Sequence, residues 1–406
     1  MEKIRLKEIC DLQNGYAFKS KDYIEKSNTL NCRMSNIRPG AVFDIEYSPK
    51  YLPDEFIKKY EEFILKDGDI VIAMTDLAGD PKILGVPAEV NTKGKNVLLN
   101  QRVGKLIIKN KEKIYYSYLK YVLSNPANKE YYKKFAGGGL QLNISKKDIL
   151  NLEIPIYEIN QQIEISNKLD KVQEIIDFRK KQIQELDELI KSQFVEMFGD
   201  PILNSMNWEV KKLKDISNKI MSGNTPKGGD RVYVSSGIEF YRSQNVWKNR
   251  IEKEDIAYID EETHKKMIKS SLKHNDLLIT KTGRINTENS SLGRTAIYTG
   301  EDDKANINGH VYLVRLNEGE NHEFVLRILI SDRYREHIRS VCVGGIDKRQ
   351  LNKEHIEDFP IIYPPKELQK KFTDKVKQID KQKFEIQKSL EETQKLQESL
   401  MNKYFG

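Results

Sequence analysis

The residues of this chain that could act as metal ligands, nucleophile partners or cofactor cradles do not fall into spacings that perform such chemistry. The six histidines, His264, His274, His310, His322, His337 and His355, form no ligand-spaced pair. A loop that holds an amine for methyl transfer needs Asn or Asp, then Pro-Pro, then an aromatic. The only Pro-Pro, Pro364-Pro365, follows Tyr363 instead. Pro53-Asp54 supplies one half of a metal-nuclease signature, but no Glu-x-Lys follows it at a usable distance. No phosphate-cradling Gly-x-x-x-x-Gly-Lys-Ser/Thr loop occurs, and no Gly-rich strand–turn–helix stands out. The carboxylates mostly match lysines in helical surface patterns, the mark of a solvated face. Cys10, Cys32 and Cys342 are odd in number and share no metal-type spacing, so they read as reduced thiols filling core. No apolar run approaches a membrane span, and the start is charged (Glu2, Lys3, Arg5), so a cytoplasmic protein is expected. The net charge of +7 is compatible with nucleic acid, although many proteins carry as much without binding any.

What could position side chains is far more regular. Ile165, Leu169, Val172, Ile176, Arg179, Ile183, Leu186, Ile190, Gln193 and Met197 step by four and three without a break. Lys, Glu, Gln and Asp fill most of the gaps, and no Pro or Gly intervenes before Gly199. This stripe is a heptad seam, narrower than the face of a core helix. It predicts a rod of about 60 Å that cannot bury its own seam. Adding 207 to each number gives Phe372, Val376, Ile379, Lys383, Ile386, Leu390, Thr393, Gln397, Leu400 and Tyr404, a second and more polar seam. Phe198-Gly199 recurs as Phe405-Gly406.

The repeat extends beyond the helices. Leu6-Lys7-Glu8-Ile9 matches Leu213-Lys214-Asp215-Ile216, and Asp69-Ile70-Val71-Ile72 matches Asp276-Leu277-Leu278-Ile279. Arg33-Met34-Ser35-Asn36-Ile37 matches Arg242-Ser243-Gln244-Asn245-Val246 at an offset two larger. Turn segments Asn14-Gly15 and Ser222-Gly223 correspond, as do Asn100-Gln101-Arg102-Val103 and Asn308-Gly309-His310-Val311. Between these frame positions, 76–96 and 283–304 share little, so one scaffold displays two different surfaces. Strands are expected at Ile70–Met74, Gly104–Ile108, Asp276–Thr280 and Val311–Leu316, and helices at Tyr115–Ser124 and Glu323–Ile338. The expected architecture is α/β: a first domain over 1–157, a central helix over 158–199, a second domain over 200–363 and a C-terminal helix over 364–406. The two helices should pair as an antiparallel coiled coil.

Together these features resemble the specificity subunit of type I restriction–modification systems. The resemblance rests on Ser222-Gly223-Asn224-Thr225-Pro226, the Asp69 and Asp276 strands, Asn100-Gln101-Arg102-Val103 and the di-glycine loops. It rests also on the Pro-then-Gln approaches to both rods, Pro155…Gln162 and Pro364-Pro365…Gln369, and on the Phe-Gly ends. It implies two target-recognition domains, each reading half of a split site in double-stranded DNA. It implies that the rods hold them at a set interval and dock two copies of a modification subunit. That partner binds S-adenosylmethionine and methylates adenine, and restriction subunits can then join. The chain itself would bind no cofactor and catalyse nothing. Lys383, Thr393 and Gln397 depart from an apolar seam and leave the register of the pair open.

Bases are read mostly by Arg, Lys, Asn and Gln, while phosphate contacts fix register. The candidates in the first half are Lys19, Arg33, Asn36, Arg38, Lys82, Gln101, Arg102, Gln141 and Asn143. In the second half they are Lys227, Arg242, Gln244, Asn245, Lys281, Arg284, Arg294, His310, Lys348 and Arg349. The plain alternative for each is a solvated surface group, and for Arg102 and His310 a buried hydrogen-bonding role. Gly138 and Gly139, and Gly344 in the second copy, would let backbone approach a phosphate, or would simply form turns before the helix. Tyr131, Tyr132, Tyr241 and Trp247 could pack on sugar or bases, or inside the protein. Two rival readings remain. A methyltransferase or nuclease with an unrecognised active site predicts that the isolated chain binds S-adenosylmethionine. A coiled-coil interaction scaffold predicts DNA binding that ignores sequence and vanishes with salt.

Overall fold

The computed structural model describes residues 2–78, 81–135, 141–285, 287, 289–345 and 348–406. The chain divides into two compact units, Met1–Lys180 with Gln387–Gly406, and Lys181–Ile386. Each unit therefore contains one globular part and a segment of both long helices.

In the first unit, an antiparallel sheet runs in the order Pro87–Glu89, Ile70–Ala73, Val103–Ile108, Cys10–Asn14. A second sheet orders Tyr51–Leu52, Thr29–Cys32, Asn96–Leu99, Ile64–Leu65, with its two central strands parallel. The first strand of the chain, Glu2–Arg5, pairs antiparallel with Glu153–Ile156, just before the long helix.

The second unit repeats this topology, with three strands in its second sheet where the first unit has four. Its first sheet is Thr295–Ile297, Leu277–Thr280, Val311–Leu316, Ser217–Ser222. Its second sheet is Ala257–Ile259, Ile238–Tyr241, Ala305–Ile307, again with one parallel pair. Val210–Lys212 with Pro360–Ile362 closes it. The turn glycines are explained by close approach. A Cβ on Gly15 would stand 2.3 Å from the Leu99 carbonyl oxygen, and one on Gly223 would stand 2.1 Å from that of Ile307. Cys10, Cys32 and Cys342 are buried and unbridged. Among the described residues, no helix is long and apolar enough to cross a membrane.

One expected helix divides in two. The stretch read as Glu323–Ile338 forms His322–Leu329 and Asp332–Val341, because the Ser331 side chain accepts from Tyr334 N and starts a new helix. The first unit does the same with Tyr116–Leu123 and Pro126–Lys133, where Asn125 accepts from Ala127 N and Pro126 opens the helix.

The two rods run Ile159–Phe198 and Lys366–Phe405. Within the first unit, the start of one lies against the end of the other: Ile165, Leu169 and Phe405 share a core with Leu6, Tyr118 and Leu119. The Phe405 carbonyl accepts from Asn125 Nδ2 at 2.7 Å, and its ring meets Tyr118 at 5.4 Å. Within the second unit the roles are exchanged. Phe198 packs at 4.9 Å on Phe324 and 5.4 Å on Phe372, and its carbonyl accepts from Trp208 Nε1 at 3.1 Å. The pairing is antiparallel in both. Gln162 and Gln369, equivalent in the repeat, are buried at the helix starts and donate to the Tyr157 and Pro364 carbonyls.

The polar seam positions pair with one another. In the first unit Arg179 donates to the Ser389 carbonyl and Thr393 Oγ1, and Gln397 Nε2 donates to Gln173 Oε1 at 2.8 Å. In the second unit Lys383 donates to Asp187. Such pairs specify register at some cost in stability. Near Phe198 the expected positions Gln193 and Met197 are only half-buried, and the fully buried stripe follows Ile190, Phe194 and Phe198, which face the globular core. Replacing Phe405 by Ala opens a cavity at a helix end and is expected to cost about 3–5 kcal/mol. Urea unfolding of the full chain should show the lower midpoint; an unchanged midpoint would contradict the packing described.

Candidate nucleic-acid interface

The matched Arg-x-x-Asn segments build identical turns. Asn36 Oδ1 accepts from Arg33 N at 2.8 Å, and its Nδ2 donates to the Asp44 and Tyr47 carbonyls at 2.9 and 3.1 Å. Asn245 Oδ1 accepts from Arg242 N at 2.9 Å, and its Nδ2 donates to the Glu252 and Asp255 carbonyls at 3.0 and 3.2 Å. Arg33 reaches the Ser48 carbonyl at 2.6 Å, while Arg242 holds the Asp255 carbonyl and pairs with its carboxylate at 3.0 Å. Both asparagines are buried. This corrects the expectation for Asn36 and Asn245: their amides are engaged with backbone and shape a loop rather than facing outward. Arg33 and Arg242 brace the same loops.

The other candidates are exposed or half-buried, and most fall on connected segments within each unit. In the first unit Gln101 and Arg102 are exposed, not buried, on a turn that Asn100 caps by accepting from Arg102 N at 3.2 Å. The Arg102 carbonyl accepts from Met74 N, and the next strand, Thr75–Leu77, pairs with Gln141–Asn143. Thr75 Oγ1 donates to Asn143 Oδ1 at 2.7 Å. Asp76 accepts from Ile83 N and Leu84 N, tying in the segment that carries exposed Lys82. Gln101, Arg102, Gln141, Asn143 and Lys82 are thus on connected segments. Lys19 stands apart on its own exposed turn, and Arg38 lies on a separate hairpin with its guanidinium 3.6 Å above the Tyr47 ring. Gly138 and Gly139 lie outside the described residues.

In the second unit the Lys281 amide donates to the His310 carbonyl at 2.8 Å, and the Lys281 carbonyl accepts from Leu351 N at 2.9 Å. Thr282–Gly283, Arg349–Gln350 and Val343–Gly344 form a small sheet. Lys281, Arg284, His310, Gly344, Lys348 and Arg349 are so brought together, with His310 exposed. Gly344 has φ +122°, and a Cβ there would stand 2.6 Å from the Lys348 carbonyl oxygen, so hairpin closure itself requires the glycine. Lys227 is exposed on the turn after Pro226. A pocket of about 670 Å³ is lined by Gln244, Trp247, Arg284, Arg294 and Lys348, with Thr and Ser hydroxyls. Arg294 lies 3.8 Å over the Trp247 ring and donates to the Ser290 and Asn289 carbonyls. Burial, with Arg335 and Arg250 nearby, pulls its pKa below the ordinary arginine value. Tyr132 and Tyr241 are buried in core, and Tyr131 is half-buried; of the four aromatics only Trp247 lines the pocket. Sequence reasoning passed over Arg250, 5.3 Å from the Trp247 ring, although its position three residues on in a short hairpin was a usable signal.

Among the described residues no group of His, Cys, Asp and Glu could hold a metal ion. The architecture is a duplicated frame with exposed basic and amide side chains that differ between copies. The family model described as the type I restriction modification DNA specificity domain matches residues 1–188 and again 206–397. The chain belongs to that family. Each match takes in one globular part and most of the rod that follows, so the specificity domain occurs twice in this chain. A relative in Methanocaldococcus jannaschii, the type I restriction enzyme MjaVIII specificity subunit, is 29% identical over 192 residues, which span 47% of this chain and 43% of that protein. The MjaIX specificity subunit of the same organism is 23% identical over 391 residues, 90% of this chain and 84% of that protein. The crystal structure of a type I S subunit from M. genitalium superposes with a TM-score of 0.56 at 16% identity, covering 100% of this chain and 96% of that one. A structure from a study of type I complex assembly and conformational transition gives 0.54 at 17%, covering 99% and 97%. These likenesses show a shared fold.

The division between frame and display is measurable. Asn36→Ala and Asn245→Ala should each destabilise the specificity chain by about 1–3 kcal/mol, because buried backbone groups lose their partners. Lys348→Ala and Gln101→Ala should stay within about 0.5 kcal/mol. Thermal melts of the four variants check this; equal losses in all four would contradict it.

Proposed function

We propose that this specificity subunit reads a bipartite, asymmetric DNA site, one half per globular part, and recruits two adenine-methylating subunits through its rods. One observation carries the reading: the same Arg-x-x-Asn turn and sheet order recur, while the exposed and half-buried donors around them differ. Gln101, Arg102, Gln141 and Asn143 stand where the second copy offers Lys281, Arg284, His310, Lys348 and Arg349. Identical displays would read identical half-sites; different ones read different half-sites. The remaining sequence-derived candidates, Lys19, Lys82, Lys227 and Gln244, join this display as backbone or base contacts.

In this reading the rods set the unspecified interval between half-sites. Their outward faces keep large apolar side chains in water, with Phe178 61% and Phe384 66% exposed. Such residues are suited to docking the modification subunits. Those partners would supply S-adenosylmethionine and the methyl transfer, restriction subunits would join that assembly, and the present chain would contribute recognition alone, in the cytoplasm.

Exchanging residues 200–350 for those of a relative with another target tests this directly. The adenines methylated in cells should change in one half-site and keep the other half and the spacer; a change in both halves would sink the modular reading.

A further inference from the structure

The hairpin after each Arg-x-x-Asn turn carries a second correspondence. At the frame position that follows Ile37 and Val246, the first copy has Arg38 and the second has Trp247. The residue types are opposite, yet each hairpin ends with a guanidinium lying on an aromatic face. In the first unit Arg38 comes from the hairpin Ile37–Arg38/Val42–Phe43, and Tyr47 follows it. In the second unit Trp247 comes from the hairpin Val246–Trp247/Arg250–Ile251, and Arg294 crosses from the far side of the pocket.

Neither arginine has a carboxylate partner among the described residues. Glu252, which acts on Arg294 from a distance, is itself paired with Arg250 at 2.6 Å. A guanidinium fixed on a ring loses little freedom when it meets a planar or tetrahedral anion. Arg294 spends Nε and Nη2 on the Ser290 and Asn289 carbonyls, so Nη1 is the donor that would meet the anion. The Arg294 pocket adds Arg284, Lys348 and hydroxyls, and its described lining has no acidic side chain.

We propose that this guanidinium-on-ring pair, Arg38 on Tyr47 and Arg294 on Trp247, is the site where each copy holds a phosphodiester of the DNA backbone. The argument rests on the functional reading above. A contact that reads bases should differ between copies, as the displayed donors do. A contact that recurs in kind at one frame position, built from different residues, serves something both half-sites share, and the backbone is what they share. Trp247 is then a positioning residue: it holds Arg294 flat and touches no phosphate itself.

The test is the salt dependence of binding by the full-length chain, on a random-sequence duplex and on the duplex carrying its mapped site. Each phosphate neutralised contributes about 0.9 to the slope of log affinity against log salt. Arg38→Ala and Arg294→Ala should each lower the slope by about that amount, and together by about twice it, on both duplexes. Each should weaken binding roughly tenfold. Trp247→Leu should reproduce much of the Arg294→Ala loss and add little to it, while Trp247→Phe should retain binding. A loss confined to one base-pair position of the mapped site, with the slope kept, would make the arginine a base reader and overturn the anchor. A lowered melting temperature with an unchanged slope would make Arg294 only a staple of the 289–291 loop, with the same consequence. A wild-type chain that binds neither duplex would overturn the anchor and the functional reading together, whereas wild-type binding with unaltered variant slopes would overturn the anchor alone.

Discussion

A forty-residue helix with an apolar stripe is stable only where something covers the stripe. In this protein the cover is the other long helix, running the opposite way. Each unit takes the beginning of one rod and the end of the other into a single core. Phe198 and Phe405 are the terminal plugs: both are buried, and both lend a helix-end carbonyl to a side-chain N–H of the surrounding domain. Those carbonyls would otherwise be orphaned. The Phe-Gly signature therefore marks a packed and hydrogen-bonded helix end, and Gly199, at φ +73°, turns the chain out of it.

The polar seam residues give the pairing its register. An apolar stripe tolerates sliding by a heptad; Arg179 against Thr393, Gln173 against Gln397 and Asp187 against Lys383 do not. Each would be left without a partner by a shift. What looked in the sequence like a weaker second seam is thus a complementary one. Arg327 does related work in the second unit, where it is buried between Glu323 and Asp380 and ties the C-terminal rod to the domain beside it.

Much of this was legible in the sequence because duplication leaves an offset that chance does not. A step of 207 residues located both rods and both Asp-led strands, and steps of 208 and 209 located the matching turns. Strand order was not legible: strands of two to six residues pair with partners far away in the chain, and periodicity carries no record of which. Burial was not legible either. Asn36 and Asn245 have the composition of base readers, yet they recur because the turn needs them. The more informative signal was difference: Arg102 against His310, or Arg38 against Trp247, where the frame is kept and the side chain is not. Ser331 was a visible helix-start residue inside a stretch read as one helix, and its cap outweighed the apolar periodicity around it.

The proposed function requires a single chain to carry two dissimilar reading surfaces on one duplicated frame. Mapping methylated adenines in the source genome, with this gene present and deleted, tests that most directly. The account predicts that one split motif with two unlike halves and a fixed gap loses its methylation when the gene is removed. Methylation that is unchanged by deletion, or a lost motif that is continuous or has identical halves, would contradict it.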